Sequence, residues 1–295
     1  MPVELAVVPV AGRGTRLLPL TKSQPKEMLP VGDKPVVQYV AEELAHAGIQ
    51  KLVFVTGPGK TAIENHFDVD HELIDHLRES GHEDLLATLS YERMELEFFY
   101  TRQRRQLGLG HAVLCAKPVA QREPFVVALG DTILGLHAQS NIVKRMVDVF
   151  EREKADAVIA FETVPQEEVF RYGVAKVKQQ QDDFFELEDL VEKPRPEDAP
   201  SNLAVASRYV FQPVIFEHLE QTKAGKGNEI QLTDAISRLI QAGGRVLGVS
   251  LPPGENRFDI GNFDSYFRSF VEFGLADPVY GENLRKFLKA KLSEE

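Results

Sequence analysis

The first half of the chain alternates short apolar runs with segments in which apolar residues recur every three or four positions. The apolar runs predict four buried strands, at residues 5–10, 51–56, 96–102 and 125–129. Helical spacing predicts a helix from Pro35 to about Ala47, two or three short helices within 60–89 and a helix over 110–116. This alternation predicts an α/β fold with a doubly wound, Rossmann-like sheet that is mixed but mostly parallel.

The second half contains the same kinds of element in a less regular order. Its pattern predicts strands at 155–163, 203–211 and 245–251, and helices at 141–153, 213–220 and 231–241. Two further helices are expected at about 262–275 and 281–293. The last helix carries a single apolar stripe, which is expected to pack either on the core or on another subunit.

A basic, glycine-containing loop follows the first predicted strand, beginning with Ala11-Gly12-Arg13-Gly14-Thr15-Arg16. Residues 11–35 hold five basic and two acidic side chains, a local charge of +3 in a chain whose net charge is -11. Glycines let a backbone approach a ligand closely and present its N–H groups to anions. The loop therefore predicts a phosphate-rich small ligand, and the alternative is a solvated loop whose glycines only make turns.

Two common phosphate motifs are excluded by spacing. A dinucleotide fingerprint needs a third glycine where Leu17 stands, and Pro19 follows too soon for a helix to open there. Residues 57–61 end like a P-loop, but that motif requires a glycine at the position of Phe54. We therefore interpret 57–61 as a turn between a strand and a helix.

Composition narrows the class of protein. The 295 residues are 43% hydrophobic and 27% charged, as in ordinary globular proteins, and a pI near 5.3 argues against a nucleic-acid partner. No apolar run approaches the roughly 20 residues of a membrane span, and the N-terminus lacks the pattern of a signal peptide. With a single cysteine, Cys115, in an apolar helical stretch, we expect a cytoplasmic protein with a core thiol.

Several polar segments follow predicted strands and should meet at one edge of the sheet, where ligands bind in doubly wound folds. Besides the basic loop they include Gln103, Gly108 and Asp131. Asp131 suits Mg²⁺, which takes one or two carboxylates together with substrate phosphates, although an N-cap aspartate is the alternative. Asp259 is a second carboxylate at a strand end, and the pair together favours a site for a metal and a triphosphate.

Two other candidates remain open from local evidence. Lys193 lies in an extended segment before Pro194, where an edge-strand charge is the alternative to a functional role. His111 is interpreted as a residue at a helix start, because no catalytic triad and no metal-ligand spacing accompanies the histidines.

The motifs together resemble the sugar-nucleotide pyrophosphorylase family, most closely its bacterial members that act on UTP and glucose 1-phosphate. The matching stretches follow the family's order across almost the whole chain: 11–18, 25–30, 34–39, 107–116, 172–174, 188–194, 202–210, 229–236 and 259–261. The resemblance implies a nucleotidyltransferase that makes UDP-glucose and pyrophosphate with Mg²⁺. It also implies UTP and glucose 1-phosphate as partners, and a homodimer or homotetramer.

The resemblance also implies roles for individual residues. Arg16, Lys26 and Asp131 would be catalytic, with Asp131 and Asp259 as the Mg²⁺ ligands. The nucleotide-binding residues would be Ala11, Gly12, Gly14, Thr15, Gln103 and Gly108, and a glutamine can present both a donor and an acceptor to a pyrimidine. Glucose 1-phosphate would be bound by Gly173, Glu192 and Lys193.

The resemblance further implies a single nucleotidyltransferase domain spanning residues 1–295. Its nucleotide-binding half would cover about 1–135, its sugar-binding half, which includes a small β insertion, about 136–261, and its C-terminal helices about 262–295. Ser207 stands where family members often have glycine, and Gly130 stands where close relatives often carry another residue. These departures leave the fine substrate preference open, so that a thymidylyltransferase or another hexose 1-phosphate is the alternative within the family. A non-catalytic regulatory paralogue is a further alternative, which loss of Arg16, Lys26 or Asp131 would favour, and all three are present.

Overall fold

The computed structural model describes residues 2–136 and 140–293. Its strands are β1 (Leu5–Pro9), β2 (Pro30–Val31), β3 (Lys34–Pro35), β4 (Lys51–Thr56), β5 (Glu97–Arg102), β6 (Phe125–Ala128), β7 (Thr132–Leu134), β8 (Ala157–Thr163), β9 (Gly173–Gln180), β10 (Phe185–Glu192), β11 (Leu203–Phe211), β12 (Val246–Ser250) and β13 (Arg257–Asp259). Its α-helices are α1 (Val36–His46), α2 (Thr61–Phe67), α3 (His71–Glu79), α4 (Leu109–Leu114), α5 (Lys117–Ala120), α6 (Ile142–Glu153), α7 (Ile215–Gln221), α8 (Leu232–Gln241), α9 (Phe263–Ala276) and α10 (Gly281–Leu292).

Within the described residues, nine strands form one sheet in the order β5-β4-β1-β6-β11-β8-β12-β10-β9. Strands β5, β4, β1 and β6 are parallel, as are β8 and β12, and β11 runs antiparallel to both β6 and β8. The antiparallel pair β9–β10 extends the other edge, and β9 also pairs with β11 where Val174 faces Ala204. The predicted mixed, doubly wound α/β sheet with a β insertion and C-terminal helices is confirmed.

Alternating residues of β1 show why helices cover both faces of the sheet. Ala6 and Val8 belong to an apolar cluster that includes side chains of α1, α2 and α6, whereas Leu5 and Val7 belong to a cluster that includes α4, α7 and α8. Successive side chains of a strand point to opposite faces, so a strand that is apolar throughout needs a layer on each side. Both clusters are almost completely buried.

A third apolar cluster fixes the C-terminal end of the sheet, where the basic loop lies. It joins Leu17 of that loop to Ile133 of β7, Phe258 of β13 and Phe273 of α9. The short strand β7, which the sequence analysis did not predict, pairs antiparallel with β13. Together these contacts hold the basic loop, the β7–β13 ribbon and α9 around one region.

None of the helices in the described part of the chain is long and apolar enough to cross a bilayer.

The prediction of helix 281–293 agrees with α10 to within one residue, whereas residues 294 and 295 of the expected C-terminal segment lie outside the described residues.

Candidate active site

The basic loop after β1 folds back on itself through short 3₁₀ turns. Gly14 precedes the turn Thr15–Leu17 with φ +65°, a left-handed conformation that favours glycine. The Gly14 carbonyl accepts hydrogen bonds from the Leu17 amide at 2.9 Å and from the Thr21 hydroxyl at 2.8 Å. Leu17 occupies the position that a dinucleotide-binding motif would give to glycine. Its side chain is completely buried and anchors the loop.

Lys26, in the third 3₁₀ turn of the loop (Lys26–Met28), lies against the loop backbone. A β-carbon added to Gly12 would lie 3.5 Å from Cε of Lys26, an ordinary contact distance. The ammonium of Lys26 pairs with Asp131 Oδ2. Burial alone would lower the pKa of Lys26, but Asp131, Glu27 and Asp259 together raise it above its ordinary value. The lysine is therefore a fixed positive charge at this site.

A buried ion pair lies directly behind Lys26. Lys60 Nζ is 2.7 Å from Glu27 Oε2, and the two side chains are only 5% and 1% exposed. Burial raises the pKa of Glu27, whereas Lys60 and Lys26 act in the opposite direction. The sequence analysis interpreted 57–61 only as a turn between a strand and a helix. This turn supplies Lys60, the counter-ion of Glu27, which is the residue next to Lys26.

The two predicted metal carboxylates lie side by side. Asp131 directly precedes β7, and Asp259 pairs in register with Thr132 at the end of β13. The Ile260 amide donates to the Asp131 carbonyl at 3.3 Å, and the Gly261 amide donates to Asp259 Oδ1 at 2.7 Å. The ribbon β7–β13 therefore brings together two carboxylates 128 residues apart in the sequence (259 − 131).

The electrostatics of the two carboxylates differ. Burial alone would raise the pKa of Asp131, but the adjacent Lys26 lowers it below the ordinary value. Burial, and next the charge of Asp131, raise the pKa of Asp259. The two carboxylates therefore repel each other, although Arg257 and Lys26 oppose the shift at Asp259.

The carboxylates of Asp131 and Asp259 form a donor set that fits Mg²⁺ if a bound substrate supplies further oxygen ligands. Across residues 2–136 and 140–293 no group of three or more histidine, cysteine or acidic side chains could hold a metal ion. Two carboxylates alone match Mg²⁺, which usually completes its shell with water and substrate phosphates. Asp131 and Asp259 are therefore the residues that could hold it.

A cavity of about 1220 Å³ opens beside these carboxylates. It is lined by six predicted site residues: Arg16, Asp131, Gly173, Glu192, Lys193 and Asp259. A β-carbon on Gly261 would come within 3.2 Å of Arg16 Nη2, so the absence of a side chain there leaves space for the guanidinium. One volume thus joins the basic loop, the acidic pair and the end of β10.

The far end of the cavity is built by the β9–β10 pair and α8. Gly173 faces Glu192 in the ladder, and Glu192 Oε2 accepts a hydrogen bond from the Thr233 hydroxyl at 2.8 Å. Lys193 Nζ lies 2.8 Å from Glu192 Oε1 and is 41% exposed, so its ammonium remains accessible. Lys193 has φ +48°, and its amide bonds the Tyr172 carbonyl at 2.9 Å. This geometry ends β10 and turns the lysine out of the strand.

A cluster in the cavity wall was not found by sequence reasoning. Arg257 pairs with Glu162, and its guanidinium carbon lies 4.3 Å from the ring centre of Tyr172. Burial raises the pKa of Glu162, although Arg257 opposes that shift. The three residues come from β13, β8 and the turn before β9, so no local pattern could have joined them.

The predicted nucleotide-base residues are outside the lining of this cavity. Gln103 is 3% exposed, and its Nε2 donates to the Gly108 carbonyl and to His111 Nδ1, each at 3.0 Å. Gly108 has φ +94°, and a β-carbon there would lie 2.7 Å from Cβ of Glu229. The structure therefore joins Gln103 to Gly108, and it assigns His111 a contact that orients the glutamine amide.

The remaining loop residues complete this neighbouring surface. Ala11 is buried and its carbonyl lies 3.5 Å from Nε2 of Gln106, whereas Thr15 is exposed.

Cys115 is half-buried, and burial raises the pKa of its thiol, which agrees with the expected structural role.

Two residues singled out as departures have clear structural surroundings. A β-carbon on Gly130 would lie 2.5 Å from Cγ1 of Val10 and 3.3 Å from Cγ1 of Val8, so close packing at the end of β1 favours glycine in this chain. Ser207 lines the cavity and has φ +62°. The next residue, Arg208, is completely buried and bonds Glu43 Oε1 at 3.1 Å and the Thr132 carbonyl at 3.0 Å.

Comparison with known proteins supports a common architecture. A family profile described as "Nucleotidyl transferase" matches residues 5–273. A UTP–glucose-1-phosphate uridylyltransferase of Staphylococcus epidermidis is 42% identical over 287 residues, covering 97% of this chain and 98% of that relative. The structure of a UTP-bound UGPase from Acinetobacter baumannii has a TM-score of 0.86 and 37% identity, covering 97% of this chain and 98% of its own. A UDP-glucose pyrophosphorylase complexed with UDP-glucose has a TM-score of 0.82 and 36% identity, with coverages of 92% and 98%.

Proposed function

The chain belongs to the nucleotidyl transferase family, and from that premise we propose that it converts UTP and glucose 1-phosphate into UDP-glucose and pyrophosphate. The resemblance to sugar-nucleotide pyrophosphorylases predicted from the sequence is confirmed by the relatives described above. The observation that carries the proposal is the single cavity. Arg16, Lys193 and the carboxylates of Asp131 and Asp259 come from four separate segments and line it, and Lys26 pairs with Asp131.

In this proposal the basic loop binds the nucleotide. The loop backbone at Ala11, Gly12, Gly14 and Thr15, together with Gln103 and Gly108, holds the base and the phosphates. Arg16 and Lys26 neutralise the triphosphate, and the fixed charge of Lys26 supports its place at the α-phosphate. The oxygen of the Gln103 amide is the group available to a pyrimidine, because its nitrogen donates to Gly108 and His111.

The sugar phosphate occupies the other end of the cavity. Gly173 and Glu192 contact glucose hydroxyls, and Glu192 is oriented for this by Thr233 and Lys193. The exposed ammonium of Lys193 binds the phosphate of glucose 1-phosphate. A β-carbon on Gly173 would lie 2.8 Å from Cγ2 of Thr233, so glycine also preserves the packing of β9 on α8.

Asp131 and Asp259 would hold Mg²⁺, which supplies charge neutralisation for the phosphates when bound. The reaction itself needs few protein groups. An oxygen of glucose 1-phosphate attacks the α-phosphorus of UTP, the new P–O bond forms in line with the breaking bond, and pyrophosphate leaves. Lys193 positions the attacking phosphate and Lys26 stabilises charge at the α-phosphorus. The attacking phosphate is ionised near neutral pH, so no protein base is required.

Release of pyrophosphate tests the proposal. We expect release with UTP, glucose 1-phosphate and Mg²⁺, and its loss with EDTA. Lys26→Ala should lower turnover by about 10²–10³-fold, the size found when one preorganised charge-stabilising group is removed. The matched control is Lys178→Ala, since Lys178 is a surface lysine 61% exposed and paired with Glu186. Activity of Lys26→Ala within a few-fold of that control would contradict the assigned role.

The same assay separates the alternatives within the family. Discrimination between uracil and thymine depends on one methyl group, worth only about 1–3 kcal/mol in a pocket. Substituting dTTP for UTP, and other hexose 1-phosphates for glucose 1-phosphate, therefore measures the preference directly. A sugar-nucleotide-binding protein without catalysis would bind UDP-glucose and release no pyrophosphate with any pair.

The oligomeric state, the cytoplasmic location and the division into nucleotide-binding and sugar-binding halves stay predictions. Association into a homodimer or homotetramer is supported by exposed apolar side chains on the last two helices, among them Phe267, Phe270 and Phe287, which are 59%, 44% and 57% exposed. Light scattering coupled to size-exclusion chromatography measures the mass of the assembly. A monomer at micromolar concentration would contradict this prediction.

A further inference from the structure

Ser207 has a backbone conformation that is unusual for a residue with a side chain. It lies in β11 between the ladder pairs Val205↔Phe161 and Tyr209↔Ile159, so three residues of β11 face Ala160 alone. This bulge gives Ser207 a φ of +62°, in the left-handed region. Residues with a β-carbon are disfavoured there, whereas glycine is not. Serine at this position therefore carries a conformational cost that glycine would avoid.

The backbone of Ser207, and not its side chain, maintains the fold. Its carbonyl accepts hydrogen bonds from the Leu129 amide at 3.2 Å and from Nη1 of Arg208 at 3.0 Å. Arg208 is in turn fixed by Glu43 inside the protein. Glycine would form the same carbonyl contacts, so packing and hydrogen bonding within the chain do not explain the serine.

The hydroxyl of Ser207 has no hydrogen-bond partner among residues 2–136 and 140–293, although Ser207 is only 6% exposed. Its Oγ is not one of the fully buried unpaired side-chain atoms, so it keeps access to the cavity, where it can bond a ligand in place of water. Ser207 lines the cavity, so the remaining exposure of its side chain is toward the ligand space. Both the strained backbone and the unpaired hydroxyl point to a role in binding.

The position of Ser207 indicates which ligand it contacts. Its carbonyl is bonded to Leu129, two residues before the carboxylate Asp131. Two residues before Ser207, Val205 packs on Gly173 of the predicted glucose site, since a β-carbon added to Gly173 would lie 3.3 Å from a Val205 methyl. Ser207 thus lies between the metal carboxylate and the predicted glucose site.

We propose that the Ser207 hydroxyl hydrogen-bonds an oxygen of the hexose 1-phosphate and so contributes to selection of the sugar substrate. The inference rests on the proposed function, because it assigns the sugar end of the same cavity. A hydroxyl can donate to a phosphate oxygen and can also accept from a sugar hydroxyl, so it suits a ligand that carries both hydrogen-bond acceptors and donors.

Two substitutions separate the hydroxyl from the backbone. Ser207→Ala removes the hydroxyl and keeps the β-carbon and its strain, whereas Ser207→Gly removes both. Lys154→Gly is the matched control, because Lys154 is an exposed residue with φ +52° at the end of α6. It relieves left-handed strain far from the cavity. Thermal unfolding of each variant verifies that it is folded.

The readout is the KM for each substrate, with glucose 1-phosphate and UTP varied separately. Loss of one neutral hydrogen bond predicts a KM for glucose 1-phosphate roughly 3–12-fold higher in both Ser207 variants, with the KM for UTP within about twofold of wild type. The control should match wild type for both substrates. A KM for glucose 1-phosphate unchanged in Ser207→Ala would overturn the proposal.

Isothermal titration with glucose 1-phosphate and Mg²⁺ gives a second readout that needs no turnover. Weaker binding by both Ser207 variants supports the proposal, even if wild type releases no pyrophosphate and the proposed function fails. Equal binding by wild type and Ser207→Ala, or no binding by wild type, overturns it. The two proposals therefore fail by different observations.

Discussion

Replacing Lys60 by methionine tests whether the buried pair behind Lys26 stabilises the loop. Methionine keeps most of the length and apolar stem of lysine but removes the ammonium 2.7 Å from Glu27 Oε2. Glu27 is 1% exposed, so its carboxylate cannot be rehydrated without moving the 3₁₀ turn that also carries Lys26. In the variant, Lys26 would remain as a cation that interacts with Glu27, and Asp131 would compete with Glu27 for the ammonium of Lys26.

The expected loss follows from the burial of both partners. Removing one partner of a fully buried pair costs about 3–5 kcal/mol, which for a chain of this size lowers Tm by roughly 6–10 °C at about 2 °C per kcal/mol. Replacing both partners with apolar residues of similar volume is often close to neutral. The double variant Lys60→Met with Glu27→Met should therefore recover most of the stability lost in the single variant.

Urea and thermal unfolding of the wild type, both single variants and the double variant form the assay. The exposed pair of Lys178 with Glu186 provides the control, and Lys178→Met should cost under about 1 kcal/mol because surface pairs contribute little. A Lys60→Met protein as stable as this control would refute the reasoning. A double variant no more stable than Lys60→Met would show that the uncompensated carboxylate is not the cause.

Three further predictions concern other parts of the fold. Arg208→Met should lower stability by about 3–5 kcal/mol, because Glu43 would lose the guanidinium that pairs with it in a fully buried site; a change under about 1 kcal/mol in urea unfolding would contradict this. Gly130→Ala should cost about 1–3 kcal/mol by overpacking against β1, and an unchanged urea midpoint would show that β1 yields to a methyl group. Burial lowers the pKa of His66 below its ordinary 6.5, so the unfolded chain binds the proton more readily and stability should fall as pH drops below about 6.5. His66→Gln should reduce the dependence of the urea midpoint on pH between about 7 and 5, and an unchanged slope would exclude this source.

The strands and helices could be predicted because their signals are local. Residues 51–56 and 203–211 form β4 and β11 with the predicted bounds, since a buried strand is mostly apolar along its length. Short β7 carries too few residues to show a period and was not predicted. Convergence of the polar segments at one sheet edge could also be predicted, because parallel strands place their carboxyl ends together.

The pairing of buried charges could not be predicted from the sequence. Arg208 and Glu43 are 165 residues apart, and Lys60 and Glu27 are 33 apart, so no spacing rule connects them. Lys60 even stands in a stretch that ends like a phosphate motif, although its side chain is buried against Glu27. A side chain's partner depends on the geometry of distant segments, which local periodicity does not encode.

The sequence by itself determined the fold class and the basic loop, because each depends on local pattern or on strand order, whereas the sugar-site residues were expected only from the resemblance to a family. Tertiary structure alone decided that Lys26 pairs with Asp131, that Glu192 is oriented by Thr233, and that Ser207 adopts a left-handed backbone with an unpaired hydroxyl in the cavity. The physical reason is that ion pairs, hydrogen bonds and strain depend on distances of a few ångströms between segments, and the packing of the folded chain sets those distances.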